Sequence, residues 1–502
     1  MTVTDVRDTA RSSDLAVVGL ALASVAVAVL LLTSASSQST RIVGASFGVT
    51  LTGLASLAVT SRATGIRAAL GMGKLGPWSS LSSAVVFGLA SLTWVQRQSG
   101  SAAIISPSSV VTALQLVMLA QGAWLVGYLV GFGDALVSWT RSRLDRLFES
   151  QSTGKVDGRG FWLLLSISVV GQALRIATGS FGYLQDASVA VSSGAGYAQL
   201  VTLLASMGTF AVVVAAFQVY SGNKAWRAKL ALVVVFQIAA GLLAGNKEPV
   251  AMVGIALILT YSVARGAFPL RFVAFGLAAF VLVVMPFVTA YRVDVRGQGL
   301  DFGAAIQTAP SVARTSTGIG EVGSNGDQLR LRLREIDNFA VVVQRSPRSI
   351  PYRPLEEFAQ APVMGVIPRA VWQDKPVFAV GYEFARQYYG QDRRTYSSAA
   401  ITPQGDLWRH GGLPALLLGM FALGLGVRFV DGSLRPERDF RALFFVLALF
   451  PIVVKWELDV VSFLMSLVGL LVAPLVGVWI TGVVGPRSRA SRSARRLDGA
   501  QR

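Results

Sequence analysis

Apolar residues in this sequence run together in long blocks, where a soluble helix or strand would interrupt them with polar positions every second to fourth residue. Blocks near the ~20 residues that carry a helix across a bilayer occupy 15–33, 42–60, 79–95, 110–131, 161–179, 196–219, 228–245, 249–264, 271–290, 412–430, 441–455 and 460–482. They predict twelve membrane spans, of which the third and eleventh are short. The first block is read as a retained span. Its apolar stretch exceeds the ~7–15 residues of a cleaved leader, and Asp5, Asp8 and Asp14 precede it. No repeat of about 20–50 residues is visible, which argues against a solenoid or obvious duplicated halves.

Composition removes the alternatives. Of 502 residues, 53% are hydrophobic and only 14% charged, whereas a soluble domain carries about a quarter charged residues. Disordered, collagen-like and globular nucleic-acid-binding chains are thereby excluded, and the expected fold class is an all-α polytopic membrane protein. There is no cysteine and one histidine, His410. Disulfides, thiolate metal sites, thiol nucleophiles and sites built from several histidines are therefore impossible.

The net charge of +18 changes meaning once its residues are placed. With the N-terminus inside, the cytoplasmic segments carry 25 Lys and Arg, against Arg41, Arg97, Lys247 and Lys455 in the short outer loops. That asymmetry predicts both termini in the cytoplasm, with the basic tail 483–502 on the inner leaflet. Residues 1–290 then hold spans one to nine, and 412–482 hold the last three. Between them lies an outer loop, 291–411, with 15 of the 45 basic and 12 of the 27 acidic residues. Long loops in compact proteins are often functional, so chemistry is expected there.

The loop opens with Tyr291-Arg292 and Arg296, placed either to meet lipid phosphates or simply to anchor at the interface. A helix is expected from Asp327 to about Val343, its arginine stripe lying beside an apolar face, although the alternating Leu-Arg run at 329–334 could equally begin a strand. Pro354 with Glu356 and Glu357 predicts a helical turn whose acids suit the helix dipole. Next comes Ile367-Pro368-Arg369-Ala370-Val371-Trp372-Gln373-Asp374-Lys375-Pro376 and then Gly381, where two prolines fix the backbone around Arg369, Trp372 and Lys375. A short amphipathic helix with Tyr382, Phe384, Tyr388 and Tyr389 is expected before Gly390. The loop closes with Gln404, Asp406, Trp408, Arg409 and His410 at the next span. Elsewhere on the same face are the tight turn Gly245-Asn246-Lys247-Glu248-Pro249 and Arg175, near the outer end of the fifth span. Ionisable groups inside spans default to functional hypotheses, although Arg175 is also placed to snorkel outward.

Many spans, one long outer loop and the Ile-Pro-Arg-x-x-Trp-x-x-Lys-Pro stretch before Gly381 resemble the Wzy-type O-antigen and exopolysaccharide polymerases. The likeness covers about residues 240–430. It implies a GT-C-like membrane fold with the loop as active-site lid, located in the cytoplasmic membrane. The activity implied is inverting glycosyl transfer from a polyprenyl-diphosphate-linked glycan to a lipid-linked repeat unit. Partners implied are those lipid-linked oligosaccharides, membrane lipids, a chain-length-regulating copolymerase and a flippase, with no nucleic acid.

The residues suit such chemistry on physical grounds as well. A diphosphate leaving group needs fixed cations, and arginine grips phosphate oxygens in pairs; Arg292, Arg296, Arg369, Lys375 and Lys247 are the candidates. Asp406, His410 and then Glu357 are candidates for activating the acceptor hydroxyl. Trp372, Tyr382 and Trp408 offer ring faces to sugars. No Asp-x-Asp occurs; Glu335/Asp337 and Glu457/Asp459 leave a metal open, but cations would make one unnecessary, and no cofactor is implied. A glycan ligase, a lipid-linked-oligosaccharide transporter or flippase, and an assembly scaffold are the alternatives. Transporters place polar, broken helices near the midplane, whereas ionisable residues here gather at the ends.

Overall fold

The computed structural model describes residues 37–64, 69–95, 103–149, 158–182, 195–298, 302–316, 334–367, 372, 380–391 and 399–483. Among them the secondary structure is entirely helical. Ten helices are long and apolar enough to cross a membrane, so the chain is a multi-pass membrane protein, and these ten coincide with ten of the twelve expected spans. The expected span 15–33 lies outside the described residues, as does most of the basic tail. The expected span 441–455 is corrected: Ala442–Lys455 is a helix of only 14 residues.

In chain order the helices are α1 (Gln38–Ala63), α2 (Leu75–Ser83, continued by a π-helical turn and a 3₁₀ segment to Val95), α3 (Pro107–Val130), α4 (Asp134–Glu149), α5 (Gly158–Ala177) and α6 (Ala195–Tyr220). Then follow α7 (Arg227–Leu243), α8 (Lys247–Arg265), α9 (Leu270–Ala279) and, beyond a π-helical turn, α10 (Met285–Gln298). The loop segment contributes α11 (Phe302–Ser316), α12 (Ile336–Arg345), α13 (Glu356–Val366) and α14 (Val380–Tyr389). Last come α15 (Pro403–Ser433), α16 (Ala442–Lys455) and α17 (Val460–Val483). The spans overrun the expected loop borders, since α10 extends to Gln298 and α15 starts at Pro403.

Local chemistry sets several of these starts. Ser37, Ser106, Asn246 and Thr402 each accept a backbone N–H from the first turn of the helix that follows. Such a cap is worth ~1 kcal/mol. Pro107 and Pro403 follow two of them, where a missing N–H costs nothing.

Inside a bilayer, helices gain little from hiding apolar surface from one another, so close backbone approach matters more. Glycines provide it here. A Cβ on Gly127 would overlap the Phe421 carbonyl, and one on Gly424 the Trp124 carbonyl, locking α3 against α15. Gly171 meets the backbone of Leu204 and Ala205 where α5 crosses α6. At the other end from the loop, the Asp431 carboxylate accepts Leu75 N (2.7 Å), Gly76 N (2.9 Å) and the Tyr128 hydroxyl (2.8 Å). The Lys74 ammonium closes this knot on the carbonyls of Asp431 and Leu434. Gly424→Leu is expected to destabilise by roughly 1–3 kcal/mol through overpacking. Gly426→Leu, where a Cβ meets nothing within 4 Å, should leave thermal unfolding in detergent unchanged. Equal melting temperatures for the two variants would sink this account of the crossing.

Candidate functional site

The loop end of the bundle is organised by a break in α15. Its first turns, Pro403–His410, are almost wholly buried; then Gly411 and Gly412 leave helical geometry, Gly412 at φ 61°, ψ −142°. Gly412 is required twice over, by that left-handed backbone and by the Tyr352 hydroxyl lying where a Cβ would go. The break frees the Arg409 carbonyl, which accepts the backbone N–H of Arg353 (2.8 Å). Arg353 is thereby fixed beside α13, where Nε meets Glu357 at 3.0 and 3.1 Å and Nη1 meets Glu383 at 2.7 Å.

Glu357 reaches back to α15: its Oε2 is 3.1 Å from His410 Nε2. The other ring nitrogen, Nδ1, donates to the Asp406 carbonyl at 2.7 Å. A carbonyl only accepts, so Nδ1 carries hydrogen. Nε2 and the Glu357 carboxyl therefore hold one proton between them. Burial opposes ionisation of Glu357, but the hydrogen bonds from Arg353 and His410 outweigh it and keep its carboxyl below the usual range. Glu357 is thus held as a carboxylate facing His410 Nε2.

Asp406 plays a different part. Its Oδ1 receives Arg409 Nε at 2.7 Å, and its Oδ2 receives the N–H groups of Val460 (2.8 Å) and Val461 (3.2 Å) at the start of α17. The side chain is fully buried, with both oxygens taken. Asp459, beside it, accepts Ser462 N; burial and the Asp406 charge push its carboxyl up. Arg409 is buried with Nη1 lacking a hydrogen-bond partner among the described residues, as do both amide atoms of Gln404.

The three residues expected to act in acid–base chemistry are therefore brought together, but they differ in access. The Glu357 side chain keeps 14% exposure, and those of Asp406 and His410 keep none. Trp408 donates through its indole N–H to the Ser346 carbonyl at 3.3 Å, edge-on to Phe339. Tyr382 is half-buried on α14, and Trp372 is half-buried as well. Arg292 donates to the Gly245 carbonyl, which brings it to the turn that carries Lys247. Arg296 lies on α10 with its side chain outside the described residues; Arg369 and Lys375 lie outside them altogether. Arg353 and Glu383 escaped the sequence reading, although the Arg353–Glu357 spacing of four is a usable signal.

A second acidic group lies on the same loop end. Glu335 is buried and accepts Asn338 Nδ2 at 2.8 Å, and Asn338 in turn accepts the Tyr389 hydroxyl. Burial, followed by the neighbouring Glu457 charge, pushes its carboxyl up to about 8, with Asp337 adding to the rise and Lys455 opposing it. A folded-state value above the unfolded one means that the native protein holds the extra proton. Stability therefore falls as pH rises from about 4.5 toward 8, by at most about 1.4 kcal/mol per pH unit. Glu335→Gln should flatten melting temperature against pH across that window. An unchanged pH slope would show that Glu335 is not the group responsible.

A family described only as a domain of unknown function, DUF8712, matches residues 172–440, just over half of the chain. The chain belongs to that family. Its matched region takes in Arg353, Glu357, Asp406, Arg409 and His410 and stops before α16 and α17. No curated protein and no solved structure matches the chain.

Proposed function

We propose that the protein is a glycosyltransferase that extends polyprenyl-diphosphate-linked glycans by whole repeat units, at the outer face of the cytoplasmic membrane. The observation that carries this reading is the Glu357–His410 pair, joined by one proton and braced by Arg353, at the loop end of a polytopic bundle. The resemblance of 240–430 to repeat-unit polymerases supplies the reaction, with a GT-C-like fold, twelve spans and both termini inside. The copolymerase and flippase partners belong to the same reading.

In this mechanism Glu357, the most accessible of the three groups, accepts the acceptor hydroxyl proton while the hydroxyl oxygen bonds to the donor anomeric carbon. The bond from that carbon to the diphosphate oxygen breaks, and its electron pair leaves with the lipid diphosphate. Arg292, Arg296, Arg369, Lys375 and Lys247 stabilise the charge that develops there. His410 holds Glu357 in position, and Asp406 fixes His410 by holding the first turns of α15 against α17. Trp372, Tyr382 and Trp408 line the sugar path.

The test uses purified protein in detergent with synthetic polyprenyl-diphosphate repeat units, read as the length of lipid-linked glycan. A ladder of longer products that vanishes in folded Arg369→Ala and Lys375→Ala supports the reading. Transfer of a finished glycan to a different acceptor, with no ladder, would replace polymerase by ligase. Passage of intact repeat units across a vesicle membrane without transfer would replace it by a transporter.

A further inference from the structure

Away from the Glu357–His410 network the bundle has a second feature, an open cleft of about 540 Å³ between α5, α6, α7, α8, α16 and α17. That volume is in the range of ligand sites, roughly 300–1,000 Å³. Its charged lining is unevenly spread. Arg175 and Glu248 lie at the loop end, whereas Phe210, Leu447 and Ala473, with the neutral Ser206, Thr209 and Gln237, line the deeper part. Counting along its α6 lining from Thr202 to Phe210 at 1.5 Å per residue, it reaches about 12 Å down the bundle.

The charges at the mouth do not cancel. Glu248 is neutralised by Lys455 Nζ at 2.9 Å. Arg175 meets only neutral groups, Gln172 Oε1 at 3.4 Å and the Phe181 ring at 5.7 Å. Among the described residues no carboxylate lies within ion-pairing distance of it. A half-buried guanidinium at the mouth of a mostly apolar cleft suits an anion attached to a hydrocarbon chain.

We propose that this cavity binds an anionic-headed long-chain lipid, its phosphate on Arg175 and its chain directed down α6 and α17 toward Phe210 and Ala473. The site stands whether or not the Glu357–His410 pair transfers sugars, because it rests on the shape and charge of the cavity alone. Gly469 offers a way to close it: the residue lines the cavity, and a Cβ there meets nothing within 4 Å. The first atom of a larger side chain at 469 therefore enters open space beside the cleft.

The experiment is photolabelling of the full chain in nanodiscs of neutral lipid with a photoreactive polyprenyl monophosphate, using the matching polyprenyl alcohol as control. Labels are expected in peptides spanning 202–210 and 465–473, and far fewer from the alcohol. Arg175→Gln should weaken labelling about tenfold, the size of one charge-assisted hydrogen bond, and Arg175→Lys should restore part of it. Gly469→Phe should abolish labelling while the melting temperature holds. Three results would overturn the proposal: labels spread evenly over lipid-facing helices, labelling indifferent to Gly469→Phe, or displacement of the probe by inorganic phosphate alone. Loss of labelling with glycan extension intact overturns this site and leaves the reaction standing; labelling without extension does the reverse.

Discussion

Glu357→Gln is expected to lower glycan extension by about 10²- to 10⁴-fold, the usual contribution of a positioned acid–base group, while the protein stays folded. The substitution keeps the size of the side chain and an oxygen for Arg353, but removes the negative charge that faces His410 Nε2 at 3.1 Å. A melting temperature within a few degrees of the parent, together with loss of the product ladder, would separate chemistry from folding. His410→Gln should lose less, since the imidazole acts through Glu357. A Glu357→Gln protein that extends glycans at the parental rate would remove this pair from the mechanism.

Asp406→Ala should produce the largest stability loss, about 3–5 kcal/mol, because it strands the buried Arg409 guanidinium without its counter-charge. The N–H groups of Val460 and Val461 lose their acceptor at the same time. The cost should come mostly from the stranded charge rather than from a lost net attraction. Asp406→Leu with Arg409→Met should therefore regain much of it, since apolar pairs of similar volume often equal buried ion pairs. Thermal unfolding of the single and double variants in detergent decides. A double variant as unstable as the single would mean that capping α17, and not charge pairing, is what Asp406 supplies.

Most of the helical frame was legible, because long apolar blocks report directly on membrane spans. Short loop helices were legible where caps and stops are local, as with α14 ending before Gly390, whose φ is 66°. The expected helix from Asp327 was only partly so: Ile336–Arg345 is helical, and 317–333 is outside the described residues. Within the candidate site, His410, Asp406 and Glu357 were recognisable as residue types near a membrane surface. Their meeting across 53 positions was not, since it depends on Gly411–Gly412 releasing a carbonyl for Arg353 to occupy. The cavity was likewise hidden, because periodicity describes each helix and says nothing of the space left between six of them. The eleventh block was legible as a short apolar helix, Ala442–Lys455, but hydrophobicity alone did not say how far it reaches, since protein and lipid satisfy burial equally well.

That short helix has a consequence for the surrounding bilayer. Arg441, at its start, is held by Asp439 and the Phe148 carbonyl, and 14 residues later α16 ends at Lys455. Those residues rise about 21 Å, some 9 Å less than a typical hydrocarbon core of ~30 Å. The charged turn from Lys455 to Asp459 nevertheless reaches the start of α8, where Lys455 Nζ meets Glu248 at 2.9 Å, so charged groups bound the bundle here across less than a full hydrocarbon thickness. Most of α16 is buried against its neighbours, so a bilayer matched to its two ends would thin only where the longer spans beside it allow. The melting temperature of the protein in nanodiscs should accordingly vary with the acyl length of the lipid around it.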